Sequence, residues 1–180
     1  MIFQILYLII CFSFDFALSI AFPVDFAQQA LVFIPALGFC AMILTVKKLS
    51  LLDALLTSLS CGFIYGLFIP QTLFLYPLLF AIVVLITRIW SSNLNESVLE
   101  LMIICLVAIA LKDYFLYAYM YTTGATTINI LFWVRSHLFI AIVGNAIFIL
   151  LVIIFYRHIN RLIVLSDQRK QKKEHAGYRN

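Results

Sequence analysis

The chain has 180 residues, of which 65% are hydrophobic and only 11% are charged, and its formal net charge is +4 at neutral pH. Its mean hydropathy of +1.11 lies far outside the range of soluble domains, so the composition indicates an integral membrane protein. Because each bilayer crossing needs about 20 apolar residues, the length accommodates about six helices and excludes a separate soluble domain.

Apolar runs, and the polar residues and prolines that interrupt them, predict an all-α protein. Pro35 falls inside the second predicted helix, where we expect a kink because neighbouring helices can satisfy the freed carbonyl group. Ser50 and Asp53 form a capping-box-like start to the third helix, and the threonine-rich segment 122–133 is predicted as a loop or a short interfacial segment. The pattern predicts a compact bundle of six transmembrane helices. These helices cover residues 2–22, 30–46, 50–69, 72–90, 98–121 and 134–156.

Lysine and arginine residues indicate the orientation of the bundle. If both termini lie in the cytoplasm, ten of these residues fall on the inner side and only Arg135 falls outside, in line with the positive-inside rule. We therefore divide the chain into a transmembrane domain, residues 1–156, and a basic cytoplasmic tail, residues 157–180. The tail is either a topology anchor or a site for anionic lipid headgroups, whose attraction is about 1 kcal/mol per nearby basic residue. The candidate headgroup contacts are Arg157, Arg161, Arg169, Lys170, Lys172 and Lys173.

Three charged residues fall well inside the predicted spans. At about 1.5 Å per residue, Lys112 in the fifth helix and Asp15 in the first both lie about 20 Å from the cytoplasmic surface. We therefore predict an ion pair between Asp15 and Lys112. Asp113 points about 100° away from Lys112 on an α-helix, so we expect it to face Arg135 or His137 in the sixth helix. The alternative is that Lys112 extends to the outer headgroups.

Small and polar residues mark two further faces of the helices. Ser58, Gly62 and Gly66 follow one another at four-residue spacing in the third helix, which predicts close helix packing within the chain or with a partner protein. Asn145 lies near the middle of the sixth helix, where its buried amide needs hydrogen-bond partners. Asn145 has two possible roles, a structural hydrogen bond or a contact to a ligand, and the structural hydrogen bond is the simpler interpretation.

The sequence contains no pattern that indicates catalysis. Cys11, Cys40, Cys61 and Cys105 lie singly in apolar segments without metal-ligand spacing, and the three histidines are scattered. There is no catalytic-triad order, no metalloprotease motif and no phosphate-binding glycine loop. The only basic run, in the tail, lacks the interleaved aromatic residues of a nucleic-acid site. We therefore expect a non-enzymatic protein with no catalytic residue, no cofactor, no bound metal and no nucleic-acid partner.

Two stretches of the chain resemble the rod shape-determining membrane protein MreD family. They are "GFIYGLFIPQTLFLYPLLFAIVVLITRI", residues 62–89, and "IVGNAIFILLVIIFYRHINRL", residues 142–162. Two positions depart from the family pattern: Pro70 stands where the family often has an aspartate, and Ile140 stands where a proline is usual. The matching residues are Gly62, Phe63, Gly66, Leu67, Asn145 and Arg157.

The resemblance implies a multi-pass protein of the bacterial cytoplasmic membrane that acts as a scaffold of the cell-elongation complex, or elongasome, in rod-shape determination and peptidoglycan synthesis. The implied partners are an MreC-like single-span protein, an MreB-like actin homologue, RodA and a class B penicillin-binding protein. The chain is also similar in size and span number to the substrate-binding S components of energy-coupling-factor transporters for vitamins or metals. In that alternative, polar residues in the outer half of the bundle would line a ligand pocket. These residues are Asp15, Lys112, Asp113, Arg135 and His137.

Overall fold

The computed structural model describes residues 2–21, 33–67, 73–91 and 96–177, and every regular element in these ranges is helical. The prediction of an all-α protein is therefore confirmed. The helices are α1 (Ile2–Ala21), α2 (Leu37–Val46), α3 (Leu51–Leu67), α4 (Leu75–Ser91), α5 (Val98–Thr122), α6 (Ile130–Trp133), a π-helical turn (Val134–Leu138) and α7 (Phe139–Gly177).

Polar side chains set the starts of α3 and α5 where the sequence predicts them. Ser50 Oγ accepts a hydrogen bond from the Asp53 amide at 3.2 Å and donates to the Asp53 carboxylate at 2.6 Å. Ser97 Oγ accepts from the Glu100 amide at 3.2 Å. Each serine oxygen therefore satisfies an amide that has no partner within its own helix. The helix boundaries are therefore correct at these two positions, whereas the predicted turn at Pro70 lies outside the described residues.

The second helix begins later than predicted. Residues 33–36 are not helical, and α2 begins at Leu37, so a continuous helix from residue 30 with a kink at Pro35 is wrong for the described part of that range. Proline has no amide hydrogen to donate and its ring clashes with the preceding turn, which favours a break here. Residues 30–32 lie outside the described residues. The result is a helix of only ten residues that is preceded by non-helical backbone at residues 33–36.

The short helix α2 lies at the centre of the bundle. All ten of its residues are buried, and it packs against α1, α3, α5 and α7. A second close packing pair is formed by α3 and α4. Because α2 is enclosed on all these sides, its polar backbone ends need partners from the surrounding helices.

The last helical stretch is longer than the predicted span 134–156. Asn129 Oδ1 accepts a hydrogen bond from the Leu131 amide at 2.9 Å, which starts helical structure at Ile130. The loop prediction for 122–133 is thus correct for the turn and coil after Thr122 and wrong for α6. No glycine or proline occurs between Gly144 and Gly177, and α7 continues through Gly177 into the predicted tail.

Two described helical stretches are long and apolar enough to cross a membrane. They cover Phe3–Ile20 and Ile130–Ser166, and three shorter apolar helices accompany them. The shorter helices are α2, α3 and α4.

Candidate functional site

The carboxylate of Asp15 closes the N-terminus of α2. Its Oδ1 accepts a hydrogen bond from the Leu37 amide and its Oδ2 accepts one from the Gly38 amide, both at 2.7 Å. Asp15 is 3% exposed. The first amides of a helix have no intrahelical acceptor and carry the positive end of the helix dipole, so a carboxylate there is favoured twice, by hydrogen bonding and by charge.

Asn145 binds the non-helical segment before α2, residues 33–36, from the opposite side. Its Oδ1 accepts from the Ala36 amide at 2.9 Å, and its Nδ2 donates to the Ile34 carbonyl at 3.0 Å. The same Nδ2 also donates to the Ala141 carbonyl of its own helix at 2.8 Å. With 1% exposure, the Asn145 amide is an internal hydrogen-bonding group. The backbone break at Pro35 is therefore stabilised by one side chain of α1 and one of α7.

Lys112 and Asp113 form an ion pair with each other. The distance between Lys112 Nζ and Asp113 Oδ1 is 3.0 Å, and both side chains are buried. Lys112 Nζ also lies 5.6 Å from the centre of the Phe39 ring on α2, within cation–π range. The prediction that these neighbours cannot pair is wrong, because the flexible lysine stem carries the ammonium group back to the adjacent carboxylate. Since Lys112 is buried, its predicted extension to the surface is also wrong.

The predicted ion pair between Asp15 and Lys112 is absent among the described contacts, although Lys112 is close enough for its charge to act on Asp15. Both residues are buried around α2, but the α2 amides take the Asp15 oxygens and Asp113 takes the ammonium group. Depth along a helix was therefore not sufficient to predict the partner. The amides at the start of α2 compete with Lys112 for the Asp15 carboxylate. The sequence pattern predicts the start of this helix at residue 30 instead.

Arg135 and His137 lie in the π-helical turn, and neither forms an ion pair with Asp113 in the described structure. That Asp113 faces this turn stays a prediction. Arg135 is exposed, whereas His137 is buried and its Nδ1 lies 3.3 Å from Ser136 Oγ. A π-helical turn shifts the rotation of the side chains that follow it, so an α-helical wheel misplaces them.

The small residues of α3 face the bundle. Ser58, Gly62 and Gly66 are all buried. A methyl group added at Gly62 would lie 2.5 Å from Pro77 Cα on α4, so only glycine allows this backbone approach. Ser58 Oγ donates to the Leu55 carbonyl at 2.9 Å within its own helix. In the described structure the face around Gly62 thus contacts α4 of the same chain.

Basic residues gather at the end of the bundle where α2 ends. Lys48 Nζ lies 2.9 Å from Glu96 Oε1, and Arg157 donates to the Glu96 carbonyl at 3.0 Å. Arg88 donates to the Val46 carbonyl at 3.1 Å and so satisfies a carbonyl at the C-terminus of α2. Partial burial lowers the pKa of Lys48, but the hydrogen bonds and charge interactions with Glu96 and Tyr156 together outweigh this effect, and the pKa is raised overall.

The candidate headgroup contacts of the tail lie on α7. Arg157 and Arg161 are exposed. The other candidate headgroup contacts, Arg169, Lys170, Lys172 and Lys173, lie further along the same helix.

The buried polar cluster at the start of α2 consists of Asp15, Asn145, Lys112 and Asp113 together with the amides they hold. Three of the surface grooves lie on described residues, and no member of this cluster lines any of those three. The capping role of Asp15 was missed from the sequence, where the only signal was a proline followed within three residues by a glycine. No known family, curated protein or solved structure matches the chain.

Proposed function

We propose that this protein is a non-enzymatic membrane scaffold of the bacterial cell-elongation complex, as its resemblance to the MreD family implies. The observation that carries the proposal is that the buried charged side chains bind other groups of the same chain. Asp15 binds the amides of α2, and Lys112 binds Asp113. A substrate-binding subunit needs polar groups that converge on a cavity, whereas a scaffold needs them to fix one arrangement of helices.

The proposed protein crosses the cytoplasmic membrane six times, with both termini inside. Large apolar side chains such as Phe14, Leu78 and Ile154 are exposed on the outside of the helices, which suits a lipid environment. Lys48, Arg88 and Arg157 lie at one end of the bundle, as the positive-inside rule requires for this orientation. The second crossing then consists of α2 and the non-helical segment before it, whose backbone is hydrogen-bonded to Asn145.

The residues that carry the family resemblance have defined roles in the structure, which supports the proposal. Gly62 permits the close approach of α3 to α4, and Asn145 binds the segment before α2. Partners of such a scaffold are an MreC-like single-span protein, an MreB-like actin homologue, RodA and a class B penicillin-binding protein.

Co-purification from native membranes tests this function. The tagged full-length chain, solubilised in a mild detergent, should retain a single-span protein with a coiled coil and a class B penicillin-binding protein. An unrelated multi-span protein with the same tag serves as the control. Depletion of the chain should also round rod-shaped cells. Retention of transporter ATPase subunits, or of a bound vitamin, would instead assign the chain to the energy-coupling-factor transporters.

A further inference from the structure

The described surface has a groove between α1 and α3 to which the proposed function assigns no role. Its cavity volume is about 600 Å³, within the range of small-molecule sites. Apolar side chains such as Ile9, Phe16 and Ile64 line it, and the small side chains of Ser13 and Ser60 widen it. We call it the α1–α3 groove.

The α1–α3 groove continues into a second cavity of about 300 Å³ at one end of the bundle. Ile5, Leu8, Leu56 and Thr57 line both cavities. The second cavity ends in polar groups, which are the side chains of Gln4 and Asp53. This end adjoins the turn between α2 and α3, where the basic end of the bundle lies.

The length of the groove matches one leaflet of a bilayer. From Asp53 to Ile64, α3 rises about 16 Å at 1.5 Å per residue. One leaflet of the hydrocarbon core is about 15 Å thick. The groove therefore runs from the level of the headgroups to the middle of the membrane, which suits a lipid chain. A partner's transmembrane helix would need a groove about twice as long.

The volume also favours a lipid chain over a helix. A helix about 11 Å in diameter and about 16 Å long occupies roughly 1,500 Å³. The two cavities along this length have volumes of about 600 and about 300 Å³, which together are well below the volume of such a helix. At the polar end, the exposed carboxylate of Asp53 provides a negative group for a cationic headgroup. The negative charge of Asp53 favours contact with an ammonium group over contact with a phosphate group.

We propose that the α1–α3 groove binds one acyl chain of an amine-bearing phospholipid, with its ammonium group at Asp53. The inference rests on the proposed membrane orientation and is independent of the role in cell elongation. The bound lipid fills the surface between α1 and α3 in the inner leaflet, and it makes the occupancy of this site depend on the headgroup composition of that leaflet.

Native mass spectrometry of the full-length chain tests the proposal. The protein is reconstituted in bilayers with equal amounts of phosphatidylethanolamine, phosphatidylglycerol and phosphatidylcholine and then transferred to detergent. We expect one retained phosphatidylethanolamine per chain. Ser60→Trp fills the groove and should abolish retention, whereas Leu59→Trp, on the adjacent exposed position outside the groove, should preserve it. Ser13→Trp fills the same groove from α1 and repeats the test if the Ser60 variant misfolds.

The headgroup is tested separately with Asp53→Asn, which keeps an oxygen for Ser50. It should lower the ratio of phosphatidylethanolamine to phosphatidylglycerol by about two- to fivefold, as expected for one exposed ion pair. Equal retention by the Trp variants at positions 59 and 60 would overturn the groove as the site. Preference of the wild-type chain for phosphatidylglycerol would overturn the amine contact. A lipid-free dimer would assign the groove to a second copy.

Discussion

At the scale of single residues, the buried charges act as internal hydrogen-bonding groups. Asp15 accepts two amides of α2, and Lys112 and Asp113 neutralise each other beside it. A buried charge is tolerated only when such partners exist, because desolvation costs several kcal/mol per ion. These residues therefore fix the position of α2 among its neighbours.

Replacing Asp15 tests its capping role. Asp15→Ala leaves two buried amides without an acceptor and should destabilise the protein by about 2–5 kcal/mol. Asp15→Asn keeps one oxygen and should cost less. Heating in the presence of a thiol-reactive fluorophore measures this, because the four native cysteines are buried. Ser13→Ala on the exposed side of α1 is the control. Equal thermal stability of the Asp15→Ala and Ser13→Ala proteins would contradict the capping role.

A double-mutant cycle tests the pair of Lys112 and Asp113. Lys112→Met or Asp113→Leu alone leaves one buried charge unpaired and should cost about 3–5 kcal/mol, whereas the double change to apolar residues should cost far less. The thermal thiol assay reports all three variants. The same cycle at Lys48 and Glu96, whose side chains are 40% and 51% exposed, is the control and should show weak coupling. Additive losses at positions 112 and 113 would exclude the buried pair.

The sequence was sufficient to single out the charged residues but not to predict their partners. Hydropathy identified Asp15, Lys112 and Asp113 because each interrupts an apolar run. Their partners depend on where α2 begins, and counting residues along α1 or α5 does not show where that helix begins. A buried charge binds the nearest group that satisfies it, and for Asp15 that group is backbone.

At the scale of elements, the late start of the second helix, at Leu37, is the main departure from the predicted bundle. Three helices begin with a hydrogen bond between neighbouring residues, made by Ser50, Ser97 and Asn129. The local sequence therefore determines where these helices start. The start of α2 has no local cap. Its partners come from α1 and α7, which are distant in the sequence, and local patterns therefore predicted a continuous helix.

Removing the Asn145 side chain should release the segment before α2. Asn145→Ala leaves the Ala36 amide and the Ile34 carbonyl without their partner, at a cost of about 2–4 kcal/mol. Hydrogen–deuterium exchange should accelerate in peptides that contain residues 33–46. Asn129→Ala, which removes only the cap of α6, is the control and should leave that exchange unchanged. Unchanged protection in the Asn145→Ala protein would show that packing alone holds the segment.

At the scale of the whole molecule, α7 extends beyond the core of the bundle. It has 39 residues and is about 58 Å long, compared with about 30 Å for the hydrocarbon core of a bilayer. In the proposed orientation, its basic end projects into the cytoplasm, where anionic headgroups or the partners of the elongation complex are within reach.

Single cysteines introduced at exposed positions test the proposed topology. Ser97→Cys lies before α5 and Thr123→Cys follows it, and both positions are exposed. A membrane-impermeant thiol reagent should label Thr123→Cys in intact spheroplasts and Ser97→Cys only in inverted vesicles. The unmodified chain is the control, because its cysteines are buried. Labelling of both positions from the same side would exclude a crossing by α5.

The two groups that bind the start of α2 become available at different times during synthesis. Asp15 precedes α2 in the chain, so it can cap Leu37 as soon as that helix forms. Asn145 follows Ala36 by 109 residues, and until it is made, the backbone before α2 lacks its acceptor and donor. The hydrogen bonds around the start of the central helix are therefore complete only after Asn145 in α7 has been made and the intervening chain has closed. Assembly of the interior is thus coupled to completion of the final helix.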